Sequence, residues 1–338
     1  GIPLAIELAA ATCRVLSPEQ ILERLDQRFQ LLRGDARTSA RGRHETLRSA
    51  IDWSYESLDD RQRSLFRRLS VFNGGFTIEA AEHVASDLDE PTIFLLTDLV
   101  DRSLLTVAGG PGRSRYFMLE TIRAYARERS SELDEIDTWV DRHIGWCHRH
   151  VADMTAVSTG ASEASAIDRI VAETDNLRAA ISRLRRLGRS DEAADLVLGL
   201  EDLAYAANPI AELIQPLVED GTVEGHPARR RLLGIELIRR STADGTEGRA
   251  ELAEQLVAGL SPDDPGSLRI PVMLIANALR QPDDTTSLEE LAVQAHAEPD
   301  PAERARLLVA ALLGTFFARD LPKPPEQVNE AIAAAEAA

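Results

Sequence analysis

One short stretch of this chain has the pattern of β-strands, and helical periodicity occupies the sequence on both sides of it. The strand-like runs are Ser103–Val107 and Arg115–Met118, and the glycine-rich segment Gly109–Gly112 separates them. Short runs of this kind around a glycine-rich turn are typical of an antiparallel hairpin. The sequence therefore predicts two short strands that form a hairpin inside an otherwise helical chain.

Helix signals surround the predicted hairpin in a fixed order. Asp59–Gln62 has the pattern of a capping box, Asn73–Gly75 interrupts the helix that follows, Thr77 caps a short helix and Pro91 begins another. A last helix is predicted over Glu120–Leu133. Helices followed by a two-stranded wing and a final helix make a winged-helix domain, which we predict for residues 43–134.

The remaining sequence predicts a mainly α fold. Residues 1–42 contain two predicted helices and a polar loop, and we interpret them as the remnant of a small helical domain. Residues 135–338 show no strand pattern, and helices alternate with short breaks. No strict 34-residue repeat is visible, but stacked helix–turn–helix units are the natural architecture for such a pattern. We therefore predict a helical-repeat array that resembles tetratricopeptide repeats.

Composition and charge limit the partners of this chain. Aromatic residues make up 4% of the sequence and alanine is abundant, which favours helix over sheet. The net charge is −18; residues 1–133 hold 18 arginines against 20 acidic residues, and the remainder holds 20 basic against 36 acidic residues. The acidic C-terminal half repels phosphate backbones and is a poor candidate for nucleic-acid binding. Acidic side chains of this kind usually form solvated faces.

The two cysteines and the two ends of the sequence bear on its cellular setting. Cys13 and Cys147 match no disulfide framework or paired-cysteine metal pattern, which favours a reducing cytoplasm. No apolar run is long enough to span a bilayer, so we expect no membrane partner. The chain begins without Met and ends in the alanine-rich stretch Ala331–Ala338, so we expect a fragment of a longer protein.

Two candidate sites can be weighed against simple packing. The helix in the recognition position, Pro91–Arg102, carries two aspartates, one arginine and a broad apolar face, which argues against DNA reading in spite of Arg113 and Arg115 on the wing. His143, Cys147 and His150 share one helical face and are a possible three-ligand metal site. Tryptophans flank that face, and packing against a neighbouring helix is the favoured interpretation.

Five motifs together resemble a known family. They are Gly1–Ala10 (GIPLAIELAA), Leu47–Tyr55 (LRSAIDWSY), Phe66–Phe76 (FRRLSVFNGGF), Phe117–Ala126 (FMLETIRAYA) and Thr174–Ala180 (TDNLRAA). Their order resembles the ATPase-containing regulators of actinobacteria, of the NB-ARC (STAND) class of signal-transduction NTPases. In those proteins the ATPase is often fused to a LuxR-type or OmpR-type DNA-binding domain or to a nucleotide cyclase.

The resemblance implies a nucleotide contact at the start of the chain. In the family a Gly-x-Pro motif lies against the bound nucleotide, so Gly1, Ile2, Pro3 and Leu4 are expected to contact the adenine and ribose of ATP or ADP, with Mg²⁺, in the intact parent. A proline ring presents a flat apolar face to a base, and the free N–H groups of a helix start favour an anion. From the residues alone, the favoured explanation of Pro3 is that it is a good first-turn residue.

The sequence lacks the parts that grip a triphosphate. A phosphate-binding loop needs a lysine, and the only lysine, Lys323, lies in a proline-rich turn. Relatives carry a Met-His-Asp motif whose histidine senses phosphate, whereas Met118–Glu120 has leucine in the middle. Glu120 could pair with an arginine of another domain, but a first-turn carboxylate favoured by the helix dipole is the preferred interpretation. We therefore expect no cofactor and no catalysis in this fragment.

These observations predict a regulatory function. The chain would be the regulatory and sensor portion of an ATP-dependent switch that controls transcription, contacting other domains of its parent and an unknown protein or small-molecule inducer at the helical repeats. The alternative is a helical interaction scaffold with a degenerate switch. A less favoured alternative is DNA binding through the winged helix.

Overall fold

The computed structural model describes residues 40–109, 114–157, 162–204, 207–242 and 248–261, together with residues 264, 268, 272, 275 and 276. The chain divides into two compact units, Gly1–Trp146 and Cys147–Ala338. The predicted helical remnant over residues 1–42 falls almost wholly outside the described residues.

The described part of the first unit has the element order of a winged helix. The elements are α1 (Ala40–Glu56), α2 (Asp60–Leu69), α3 (Ile78–Val84), α4 (Thr92–Asp101), β1 (Thr106–Ala108), β2 (Arg115–Phe117) and α5 (Glu120–Glu132). The 21-residue helix α6 (Ile136–Ala156) follows and includes the boundary between the two units. The recognition position of the winged helix is occupied by α4, the helix that precedes the hairpin.

The predicted hairpin forms, but its first strand begins at Thr106 instead of Ser103, whose φ of +58° belongs to the turn after α4. Strands β1 and β2 are antiparallel, and Thr106 lies opposite Phe117. The N–H of Phe76 donates to the carbonyl of Tyr116 at 2.9 Å, and the N–H of Tyr116 donates to the carbonyl of Phe76 at the same distance. Phe76 thus acts as a one-residue third strand, a feature too short for any sequence period to reveal.

Local sequence signals fix where the helices begin. Asp59 accepts hydrogen bonds from the N–H groups of Arg61 and Gln62 at 2.9 Å, while the Gln62 side chain accepts from the N–H of Asp59 at 3.0 Å. This reciprocal capping box satisfies N–H groups that have no partner inside the helix. Gly75 then permits a sharp turn, because its φ is +117° and a Cβ there would lie 2.6 Å from the Phe117 ring.

Aromatic rings form much of the core of the first unit. Tyr55, Phe66 and Tyr125 bring α1, α2 and α5 together, with ring centroids 5.6 Å apart for Tyr55 and Phe66 and 6.4 Å apart for Phe66 and Tyr125. Phe72 and Phe76 stack with centroids 4.8 Å apart beneath the hairpin. Tilted and offset ring pairs of this kind contribute specific geometry as well as buried apolar area.

The described part of the second unit is helical throughout. Its elements are α7 (Glu163–Ala172), α8 (Thr174–Arg186), α9 (Ser190–Leu198), a 3₁₀ turn (Glu201–Leu203), α10 (Asn208–Ala211), a second 3₁₀ turn (Glu212–Ile214), α11 (Gln215–Glu219), α12 (Thr222–Gly225), α13 (Arg229–Thr242) and α14 (Arg249–Gly259). Small and aliphatic side chains fill its core, including Ala180, Leu184, Ala194 and Leu237, each fully buried.

The predicted fold class is confirmed. The described residues are mainly helical, with a winged-helix domain, one short antiparallel hairpin and no strand after β2. The described helices include none that is long and apolar enough to cross a membrane. The finer boundaries of the three predicted domains, at residues 42 and 134, stay a prediction.

Candidate functional site

Helix α4 has two chemically different faces. Thr92, Leu95, Leu96 and Leu99 are buried against the rest of the winged helix. On the opposite side the exposed fractions are 38% for Ile93 and 61% for Phe94. Large apolar side chains on the outward face of a recognition-position helix are unusual for a surface that meets water or a charged groove.

The outward face of α4 is acidic as well as apolar. The helix itself contains two carboxylates, Asp98 and Asp101, and no lysine or arginine. The Gln62 side chain donates to the Asp98 carboxylate at 2.7 Å, and because glutamine is neutral the negative charge of Asp98 is retained. Asp101 is exposed in the last turn, where the helix dipole is negative too. The outward face therefore combines an apolar N-terminal half with a negative C-terminal half.

The arginines of the winged helix are engaged within the first unit. Arg61 pairs with Glu90 at 3.2 Å, and Arg67 donates to Glu135 at 2.9 Å. In the part of residues 58–131 that the structure describes, each arginine contacts a carboxylate, a hydroxyl or a backbone carbonyl of the same unit: Arg61, Arg63, Arg67, Arg68, Arg102, Arg115, Arg123, Arg127 and Arg129. Their charge is therefore used in contacts within the first unit.

Asp87 is an example of a carboxylate that engages these arginine side chains. Both Arg68 and Arg142 donate to its carboxylate. The hydrogen bond from Arg142, together with that from Arg68, holds the pKa of Asp87 well below its usual range, against the opposing effect of partial burial. The guanidinium carbons of Arg68 and Arg142 lie 4.1 and 5.1 Å from the Trp139 ring centroid. The cluster joins the end of α3 to α2 and to the first turns of α6.

The Met118–Glu120 motif lies at the entry to α5. Leu119 precedes the helix with 44% of its surface exposed, and Glu120 stands in the first turn, as the dipole argument predicts. Glu120 accepts from Arg123, three residues further along the same helix. A small pocket of about 90 Å³ lies beside the motif. Arg123 lines it but also donates to the Phe72 carbonyl at 3.0 Å, so its guanidinium is already engaged.

The histidine and cysteine residues of α6 are packed side chains. The His143 ring lies edge-on to Phe72, with centroids 5.2 Å apart. Cys147 is a buried free thiol with Sγ 3.9 Å from the Asn176 carbonyl oxygen, and burial raises the pKa of this thiol. Burial also lowers the pKa of His150. Among the described residues, no group of three or more His, Cys, Asp and Glu side chains could hold a metal ion.

Three sequence-based candidates fall outside the described residues. They are the nucleotide contact predicted at Gly1, Ile2, Pro3 and Leu4, the wing residue Arg113, and Lys323. The described residues therefore do not test the contact with ATP or ADP.

Sequence reasoning missed the outward position of Ile93 and Phe94. The sequence predicts one broad packing face for the apolar residues of α4. Successive helical residues are about 100° apart, however, so adjacent apolar residues point in different directions. Four consecutive apolar residues, Ile93–Leu96, cover far more than one face of a helix. This run of four apolar residues is the sequence signal for exposure. Because Leu95, Leu96 and Leu99 share the buried side, Ile93 and Phe94 face outward.

Comparisons with known proteins agree with the architecture of the first unit. Residues 58–131 match the family described as winged helix-turn-helix domain. Over 219 residues the chain is 40% identical to a provisionally assigned HTH-type transcriptional regulator of Mycobacterium tuberculosis and to its counterpart in Mycobacterium bovis, covering 63% of this chain and 24% of each relative. An uncharacterized Mycobacterium tuberculosis protein is 38% identical over 147 residues, covering 42% of this chain and 37% of that protein. No solved structure matches significantly.

This chain spans about a quarter of the length of the regulators that it matches, 24% of each. The family match covers residues 58–131, which contain the winged helix. The chain thus contains a winged helix-turn-helix domain and is similar to mycobacterial proteins named as transcriptional regulators.

Proposed function

We propose that this chain is the regulatory portion of a transcriptional regulator and that its winged-helix domain makes protein contacts instead of reading DNA. One observation carries the second part. The outward face of α4 presents Ile93, Phe94 and the carboxylates of Asp98 and Asp101 at the position where a DNA-reading domain presents donors to base edges.

Physical chemistry favours this proposal over groove binding. Base edges in the major groove are read by Arg, Lys, Asn and Gln, and phosphates attract several uncompensated cations. Residues 58–131 contain ten arginines against eleven acidic residues, so the domain carries no excess of positive charge. Releasing arginines such as Arg67 or Arg68 for DNA would break contacts that support the domain itself.

Direct DNA binding is the second candidate. It is favoured by the helix-turn-helix description of the matched family and by the name of the mycobacterial relatives, and Arg115 stands at the base of the wing. In that arrangement Asp98 and Asp101 would face the phosphates of the groove. Like-charge contacts of this kind oppose binding and have to be outweighed elsewhere.

A duplex titration separates the two candidates. The full 338-residue chain is titrated into a fluorescein-labelled duplex of mixed sequence at low salt, with anisotropy as the readout. We expect no saturable binding at micromolar protein, because the helix that would enter the groove is acidic. DNA reading through the domain instead predicts binding that weakens steeply with added salt. Loss of that binding in Arg115→Gln, with Arg178→Gln of the second unit as the matched control, would overturn our proposal.

The ATP-dependent part of the proposal concerns the intact parent protein. The order of the five motifs supports an NB-ARC (STAND) switch working in the cytoplasm, with ATP or ADP and Mg²⁺ held in part by Gly1, Ile2, Pro3 and Leu4. Other domains of the parent and a protein or small-molecule inducer at the helical units would be its partners. We expect this chain alone to show no ATP turnover, and Pro3→Ala in the parent to weaken nucleotide binding. A parent that binds no nucleotide would leave the interaction scaffold as the better description.

A further inference from the structure

We infer that the outward face of α4 docks a protein segment whose apolar side chains are flanked by arginine or lysine. This inference rests on the proposed protein-contact function and specifies the chemistry of the partner. The docking face, as we define it, consists of Ile93, Phe94, Thr97, Asp98 and Asp101, which lie on one side of the helix.

The apolar half of the docking face calls for an apolar partner surface. Phe94 exposes 61% of its surface and Ile93 exposes 38%, and they are neighbours in the first turn of the helix. Both could be replaced by polar residues without loss to the core, because Leu95, Leu96 and Leu99 supply the buried side. Aromatic side chains held on a rigid helix lose little conformational freedom on binding, which makes Phe94 the natural anchor of an interface.

The acidic half of the docking face selects the charge of that partner. In residues 86–101 Glu90 is neutralised by Arg61, and Asp87 by Arg68. Asp98 accepts a hydrogen bond from the neutral Gln62 side chain, and Asp101 is exposed at the negative end of the helix dipole. Complementary potentials across an interface direct encounter and suppress wrong partners. A cationic border around an apolar centre therefore fits this face.

The same charges argue against the other occupants of such a face. A second copy of this chain would bring together two acidic docking faces on molecules with a net charge of −18. DNA and anionic lipid surfaces are repelled by the same carboxylates. An amphipathic helix with apolar anchors and basic flanks, laid along α4, satisfies both halves of the face at once.

A peptide titration with a matched probe tests the inference. The probe is a synthetic amphipathic helix of about 18 residues with leucines on one face and arginines along both borders; the comparison probe has glutamate in place of each arginine. Both are titrated with the full chain, and anisotropy is followed at two salt concentrations. We expect the arginine probe to bind with a Kd in the micromolar range and the glutamate probe to bind at least tenfold more weakly.

Variants of the chain locate the binding. Phe94→Ser is expected to weaken binding of the arginine probe at least tenfold, and Asp98→Asn with Asp101→Asn to weaken it severalfold and reduce its salt dependence. Leu133→Ser is the control, since Leu133 is equally exposed at 55% but lies outside the docking face. Unchanged thermal unfolding of Phe94→Ser confirms that the fold is intact.

Three outcomes of the peptide titration would overturn the inference. They are the absence of binding by the arginine probe, equal binding of both probes, and binding that Phe94→Ser leaves unchanged, which would mean general attraction to an acidic chain. A dimer seen by sedimentation and abolished by Phe94→Ser would also overturn it in favour of self-association. A failure here leaves the duplex titration untouched, so loss of this inference is distinguishable from loss of the proposed function.

Discussion

The two units of this chain achieve stability with different residues. Residues 40–146 contain 11 of the 15 aromatic residues, including all three tryptophans, whereas residues 147–338 contain three. In the first unit, ring pairs such as Phe66 with Tyr55 link helices that are distant in sequence. In the second unit alanine and leucine fill the described core. Aromatic side chains therefore contribute to the core of the first unit, whereas the described core of the second is aliphatic.

The buried charged residues also differ between the two units, although Arg183 is buried in the second. Arg67 and Arg68 are the buried charged residues in the described part of the first unit. The buried charged residues of the second include three glutamates, Glu173, Glu201 and Glu236, with exposed fractions of 1%, 4% and 1%. The acidic composition predicts solvated faces, but these three carboxylates lie inside the second unit. A buried carboxylate needs a hydrogen-bonding or charged partner.

The largest expected effect tests the aromatic core of the first unit. Phe66→Ala removes a fully buried ring that contacts Tyr55 and Tyr125, and should lower the free energy of unfolding by about 3–5 kcal/mol. Tryptophan fluorescence during urea unfolding measures it, because all three tryptophans lie in the first unit.

Leu184→Ala in α8 is the matched change in the second unit, and far-ultraviolet circular dichroism follows both units together. Leu184 is fully buried, so this variant should destabilise mainly the second unit, which contains no tryptophan and whose unfolding fluorescence does not report. Equal shifts of the fluorescence midpoint for Phe66→Ala and Leu184→Ala would show that the two units unfold in a single transition. That result would contradict the expectation that each unit is stabilised by its own core.

A smaller effect is expected from the buried glutamates of the second unit. Arg239 and Arg240 donate to the two Glu236 carboxylate oxygens at 2.7 Å each. Burial by itself would raise the pKa of Glu236, but these hydrogen bonds outweigh it and hold the pKa below its usual value. Replacing both arginines with glutamine should lower the free energy of unfolding by about 1–3 kcal/mol, because a carboxylate is left buried with weaker partners.

Arg189→Gln provides the comparison for this second prediction. Arg189 pairs with Glu192 at 2.7 Å, but both side chains are at least one-third exposed. Exposed pairs of this kind contribute about 0–1 kcal/mol. Urea unfolding followed by circular dichroism measures both variants. Similar losses of unfolding free energy for the two variants would mean that the buried contacts of Glu236 contribute no more than an exposed ion pair.

The same contrast explains what the sequence could reveal. The capping box at Asp59–Gln62, the break at Asn73–Gly75 and the strand pair were legible because they depend on residues with sharp local preferences. The bridge at Phe76 was not, since a single paired residue has no period. In the second unit, alanine and leucine fit either face of many helices, so neither the repeat type nor the buried position of Glu173, Glu201 and Glu236 can be read from the pattern.

The candidate site was predicted in its chemistry but not in its geometry. The acidic, apolar character of α4 is visible in the sequence, and the prediction that this helix does not read DNA rests on that character. Which apolar residues face outward depends on how α4 packs against α2 and α3, information that a single helix does not contain. The sequence alone could therefore suggest the character of α4 without showing that Ile93 and Phe94 face outward.

The smallest expected effect is a pH dependence confined to the second unit. Burial lowers the pKa of both His148 and His150 below the ordinary value of 6.5, in spite of nearby carboxylates. As the pH falls through 6.5 the unfolded chain takes up protons at these positions more readily than the folded chain, so stability is full at pH 7.5 and declines toward pH 5.5. Carboxylates titrate mainly below this window.

Circular dichroism of urea unfolding at pH 7.5, 6.5 and 5.5 measures this decline, and His148→Gln with His150→Gln should remove most of it. The variant keeps a polar side chain of similar reach but cannot be protonated, so it separates titration from packing. A decline that persists unchanged in the variant would assign the pH dependence to other groups. The carboxylates that face His150 include Glu173 and Asp153. Such a result would also mean that these carboxylates offset the penalty that burial places on a protonated His150.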